Sequence, residues 1–199
     1  MTAVLGIERF SKEGAMKRLF VMLVVLALAA PVAWAGGLAG VQMDEEVMVG
    51  SDSLKLNGMG LRKKLWVKVY VGGLYLEHPT TNAQNAAHSK QTKKMVMHFL
   101  TNKAKKKKMD SAWVEGFEAN WGHFGDIKAR VMTFKDYFGD MKEGDVVEMT
   151  LVPGQGTTIV VNGATKGTIE GDDFAEALVN VWVGNSPPDE GFKKGLLGG

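Results

Sequence analysis

The chain has 199 residues, with 24 Lys and Arg against 22 Asp and Glu, four His and no Cys. The missing thiols exclude disulfide bonds and thiol catalysis. The basic excess belongs to the first 35 residues: without Arg9, Lys12, Lys17 and Arg18, and without Glu8 and Glu13, 20 basic and 20 acidic side chains remain, which removes the compositional case for a nucleic-acid partner.

The N-terminus reads as an export leader. Lys17 and Arg18 form a basic n-region, residues 19–30 an apolar h-region, and Ala33-Trp34-Ala35 a small-x-small cleavage site. The polar extension before Met16 points to Met16 as the initiator. An h-region this short falls below the roughly 20 residues a bilayer span needs, so a cleaved signal peptide (residues 1–35) and a periplasmic mature chain starting near Gly36 are expected, with no permanent membrane span. No internal repeat or low-complexity linker divides residues 36–199, which read as one domain.

Residues 54–56 and 65–71 read as strands, with Gly58-Met59-Gly60 as the turn of a hairpin that sets Arg62 on the returning strand. Gly72-Gly73 permits a bulge or bend. A short helix fits residues 79–89, and Met95, Met97 and Phe99 alternate through a strand over 95–100. Lys105 to Lys108 would oppose the dipole of a helix they opened, so they are expected before a cap at Asp110 or Ser111, as a solvated run. Met109, Trp113, Phe117 and Trp121 recur at helical spacing over 110–121, and Ile127, Val131, Phe134 and Phe138 do so over 126–137. Strand runs at 146–152, 157–161 and 164–169, joined through Pro153-Gly154-Gln155-Gly156 and Asn162-Gly163, make a three-stranded meander. Asp172 or Asp173 caps a helix whose Phe174, Leu178, Val181 and Trp182 face inward, Gly184 ends it, and a last short helix follows Pro187-Pro188. Strands grouped with helices grouped predict an α+β fold: an antiparallel sheet covered on one face by helices.

For chemistry, Arg62 stands out. A guanidinium stays charged and presents planar donors, so among apolar residues it wants an anionic partner, although Lys63 and Lys64 beside it also suit a surface arginine. Tyr70 offers a hydroxyl nearby. Tyr75 lies an odd number of residues further on, so without a bulge it faces the other side of the sheet. Trp113 has the spacing of a core residue, and Asn120 serves equally as a helix-end cap or a ligand contact. His78, His88, His98 and His123 lack metal-ligand spacing, the pairs Glu45-Glu46 and Asp172-Asp173 diverge, and no phosphate loop, nucleophile elbow or cofactor motif is present.

Taken in order, Gly58-x-Gly60-x-Arg62, Lys68-Val69-Tyr70-x-x-Gly73-Leu74-Tyr75-Leu76, Trp113-x-x-Gly116-Phe117-x-x-Asn120, Pro153-Gly154-x-Gly156, Asn162-Gly163, Gly171-x-x-Phe174-x-x-Ala177-Leu178 and Val181-Trp182-Val183-Gly184-Asn185-x-Pro187 resemble the chalcone-isomerase-like superfamily, in its exported bacterial branch, over residues 38–198. The resemblance implies the same architecture, an open-faced β-sandwich. It also implies that Arg62 occupies the position of an arginine that holds a phenolate or enolate, that Tyr70 replaces a threonine, that Trp113 replaces a tyrosine, that Val181 replaces a small hydroxyl residue, and that Asn120 matches a site asparagine. A pocket that keeps the arginine and sheds orienting hydroxyls is expected to bind a small anionic, mostly apolar ligand such as a fatty acid, through Arg62, Tyr70, Asn120 and Tyr75. The alternatives are an intramolecular lyase or isomerase that uses Arg62 on an oxyanion, or an envelope interaction protein whose cleft is closed by Trp113 and Tyr70.

Overall fold

The computed structural model describes residues 34–199; the leader and Met16 lie outside the described residues. Among the described residues, no helix is long and apolar enough to cross a membrane. A two-stranded ribbon, β1 (Trp34–Leu38) and β2 (Val41–Asp44), precedes a seven-stranded sheet of β3 (Glu46–Val49), β4 (Asp52–Lys64), β5 (Val67–Leu76), β6 (Lys93–Phe99), β7 (Val146–Val152), β8 (Gly156–Val161) and β9 (Ala164–Ile169). Its strands lie side by side in chain order, every neighbouring pair antiparallel. Helix α1 (Ala83–His88) joins β5 to β6, α2 (Lys106–Asn120) and α3 (Phe124–Asp136) join β6 to β7, and α4 (Asp172–Val183) and α5 (Glu190–Leu196) follow β9.

Strand alternation sorts the side chains onto two faces. Tyr70, Leu74 and Leu76 of β5 join Met97, Phe99, Val147 and Met149 in the main core beneath the helices, where Trp113, Phe117, Phe134, Phe174, Trp182 and Phe192 pack. Val71, Tyr75 and Val96 form a smaller cluster on the other face, with Met43 of β2 and Leu54. Helices on one face of an antiparallel sheet are the architecture expected from the sequence.

The glycines of β4 behave differently from expectation. Gly58 and Gly60 lie within a continuous strand, and the hairpin apex is Leu65-Trp66. The reason is the close approach of α5: a Cβ on Gly60 would stand 2.5 Å from the Phe192 carbonyl oxygen, and one on Gly58 would run into the backbone at Gly195 and Gly198. Gly72, the register partner of Gly60, lies under the Phe192 ring, and the ladder between β5 and β6 passes through Gly72 and Gly73 without a bulge. These glycines let a helix backbone rest on a sheet.

Helix α2 begins at Lys106, four residues earlier than the expected cap, so three lysines occupy its first turn. Asp140, from the segment after α3, offsets the opposed dipole: one carboxylate oxygen accepts from the Lys106 backbone N–H at 2.9 Å and the other meets the Lys105 ammonium at 2.9 Å. The cap of α4 also shifts by a residue, to Gly171, leaving Asp173 in the first turn, where Arg130 grips it with two bonds of 2.7 and 2.5 Å. Lys93 is buried, and its ammonium closes the end of α1 by donating to the carbonyls of Ala87 at 2.8 Å and Ser89 at 2.7 Å.

Candidate functional site

Arg62 and Tyr70 are cross-strand partners in the β4–β5 ladder, with a register irregularity between Arg62 and Lys63. Both line a cavity of about 330 Å³ between this end of the sheet and helices α2 and α4. Its walls are apolar: Met97 and Phe99 come from β6, Met109 and Trp113 from α2, Val181 and Trp182 from α4. Lys64, Glu115, Ser186 and Pro188 also line it. Tyr70 and Trp113 stand in its walls.

Tyr70 is buried, and its oxygen accepts a hydrogen bond from the Trp182 indole N–H at 3.1 Å. Among the described residues that oxygen donates to no protein acceptor, so its hydrogen is free for a ligand. Burial pushes the phenol up to about 12, against the lowering effect of the Trp182 bond and of Arg62, and Asp189 adds to the rise. The group therefore acts as a neutral donor. Its ring is fixed by an edge contact with Phe192 at 5.4 Å and a tilted one with Phe99 at 5.5 Å.

Arg62 is largely shielded, with 18 % of its side chain exposed, and its Nη1 stands 3.7 Å from Asp189 Oδ2 and donates to the Lys63 carbonyl. Asp189 is committed elsewhere: Oδ1 accepts from the Phe192 N–H at 3.0 Å as the N-cap of α5, and Oδ2 from the Lys63 N–H at 3.3 Å. The ion pair is long, and the remaining guanidinium N–H groups have no protein acceptor among the described residues. Trp113 is a core residue, as its spacing predicts, and its buried indole N–H has no partner among the described residues. The Arg62 guanidinium and the Tyr70 hydroxyl, as donors, suit an acceptor-rich ligand head at the polar end of an apolar cavity.

Two expected ligand contacts lie elsewhere. Tyr75 faces the opposite side of the sheet because β5 runs without a bulge from Tyr70, and its hydroxyl donates to the Asp44 carbonyl at 3.0 Å. Asn120 lines a separate, more polar cleft with His88, Trp121 and Asn180. Its amide nitrogen donates to Gly116 and Ser186 carbonyls, both at 2.9 Å, and its oxygen accepts from the Ser186 N–H at 2.8 Å, so it ties the end of α2 to the chain after α4. Asp189 and the indole of Trp182 are site residues that sequence reasoning missed. Asp after Pro187-Pro188 signals a helix cap, but its pairing with a strand far earlier in the chain has no local signal. Among the described residues, no group of His, Asp and Glu is arranged to hold a metal ion.

Residues 35–198 match the chalcone isomerase-like family, and the chain belongs to it. The fold is similar to the crystal structure of an Arabidopsis thaliana fatty-acid binding protein, at 15 % identity and a TM-score of 0.68, covering 83 % of this chain and 96 % of that one. No curated protein sequence matches the chain.

Proposed function

We propose that this protein binds a small apolar acid, of the fatty-acid class, in the cavity beneath α2 and α4, and that it does so in the periplasm after loss of its leader. The reading is carried by the pairing of Arg62 and Tyr70 at the polar end of an apolar cavity: a shielded cation with unused donors stands across the ladder from a phenol whose hydrogen is free. The carboxylate meets Arg62 and Tyr70, and the tail lies against Met97, Phe99, Trp113 and Val181. The fatty-acid binding protein that shares the fold supports this choice of ligand class. An engineered cavity of about 150 Å³ holds a benzene, so 330 Å³ encloses roughly twice that, and a longer tail would leave by the mouth. Calorimetric titration with a medium-chain acid and its methyl ester tests the reading: acid binding well above ester binding supports it, and equal binding refutes it.

A further inference from the structure

The β4–β5 hairpin ends in two exposed apolar side chains, Leu65 at 80 % and Trp66 at 84 % exposure. Lys63, Lys64 and Lys68 flank them, all exposed, and none forms an ion pair among the described residues. The backbone makes the composition more telling. Leu65 has φ +56, in the left-handed region that favours glycine and asparagine, and it packs against nothing that would compensate. The β8–β9 hairpin of the same protein uses Asn162 at φ +50 and Gly163 at φ +76, the residues such a turn prefers. At the β4–β5 apex a bulky apolar side chain is kept where the backbone disfavours it, which indicates that the side chain itself is used.

From the charge and composition of this tip we propose that it docks the protein on an anionic lipid bilayer, with Leu65 and Trp66 entering the interface and the three lysines meeting headgroup phosphates. A tryptophan suits the headgroup boundary, where its ring is buried and its N–H stays wet, and lysines near such a surface add attraction that depends on anionic lipid. The cations continue around the cavity: Lys64 lines it, and the exposed Lys107 and Lys108 immediately precede Met109, another lining residue, with Glu115 as the acidic member of the same lining. Docking by the tip therefore sets the cavity mouth near the lipid. The docking does not depend on what the cavity binds.

The test uses the mature chain, residues 36–199, with vesicles of phosphatidylcholine, with and without phosphatidylglycerol, carrying brominated acyl chains that quench tryptophan at depth. Subtracting Trp66→Phe from wild type isolates Trp66 from Trp113, Trp121 and Trp182. Trp66 should be quenched strongly only when phosphatidylglycerol is present. Leu65→Asn/Trp66→Ser should lower partitioning by tenfold or more, and each of Lys63→Gln, Lys64→Gln and Lys68→Gln by about fivefold. The double variant should melt at the same temperature or higher, since asparagine accepts the left-handed backbone. Absence of Trp66-dependent quenching, or undiminished partitioning of the double variant, overturns the proposal. So does a wild-type dimer in sedimentation that the double variant abolishes without a vesicle effect, which would assign the tip to a second copy of the chain.

Discussion

The Trp182 indole N–H donates to the Tyr70 phenol oxygen at 3.1 Å, with both side chains buried. This one bond fixes the phenol oxygen at the cavity while leaving its hydrogen uncommitted, and it gives Tyr70 a structural role beside the binding role proposed for it. Tyr70→Phe should thus weaken acid binding by about fivefold, the loss of one neutral hydrogen bond, and should also lower stability by about 1–3 kcal/mol because the indole N–H is left buried without an acceptor. Denaturant unfolding and ligand titration of the same variant check the two effects separately.

Arg62→Ala should weaken a carboxylic acid by roughly ten- to a hundredfold, as expected for one charge-assisted bond, and leave the methyl ester unaffected. Asp189→Asn tests the ion pair from the other side. Asparagine still caps α5, so the fold should stand, but Arg62 loses a competing carboxylate and the acid should bind severalfold more tightly. Unchanged affinity in both variants would return Arg62 to a surface role.

Flavonoid cyclisation should be negligible. Trp113 and Val181 stand where the family's isomerases, by the resemblance, carry hydroxyl side chains, and the cavity wall offers donors but no buried base. A cyclisation assay with wild type and Arg62→Ala checks this; Arg62-dependent turnover would establish the isomerase alternative.

Gly60→Ala should destabilise by about 1–3 kcal/mol through overpacking, because its Cβ must displace the backbone of α5 at Phe192. Acid binding should fall with stability, since Phe192 of α5 holds the Tyr70 ring in place. Gly122→Ala, with nothing within 4 Å of the new methyl group, is the control and should be close to neutral in both measurements.

Alkaline pH should move stability in two opposite steps. Burial lowers Lys93 to about 8, so between about 8 and its unfolded value near 10.4 the unfolded chain holds more protons and stability rises with pH. Burial raises Tyr70 and Tyr75 to about 12, so above their unfolded value near 10 the folded chain holds more protons and stability falls. Unfolding free energy measured across this range should peak near pH 10, and Lys93→Met should remove the rising limb.

Local signals read correctly where the chain decides its own conformation. Asn162-Gly163 carries the positive φ angles of its turn, the β7–β9 meander and the Gly184 cap of α4 follow from short windows, and the parity of Tyr70 and Tyr75 already placed them on opposite faces. Failures occur where a distant segment decides. Gly58 and Gly60 look like turn residues until α5 is known to lie on them, and the lysines of α2 look excluded from a helix until Asp140 is known to cap it. That Arg62 and Tyr70 share one cavity wall was legible, but Asp189, which pairs with the arginine, is joined to it by tertiary packing alone.

The sheet's strands lie in the order of synthesis, each pairing with the one just before it, and most of these pairings close short loops, that of β6 with β7 across α2 and α3 excepted. The contact of α5 with β4 breaks that rule: Asn57 donates to the Leu196 carbonyl at 2.7 Å, across almost the whole described chain. The C-terminal helix is thus the clasp of the fold. A chain emerging from N- to C-terminus can lay down its sheet strand by strand, yet Arg62 meets Asp189 and Phe192 covers Tyr70 only after the last residues arrive, so the polar end of the cavity is completed at the final step.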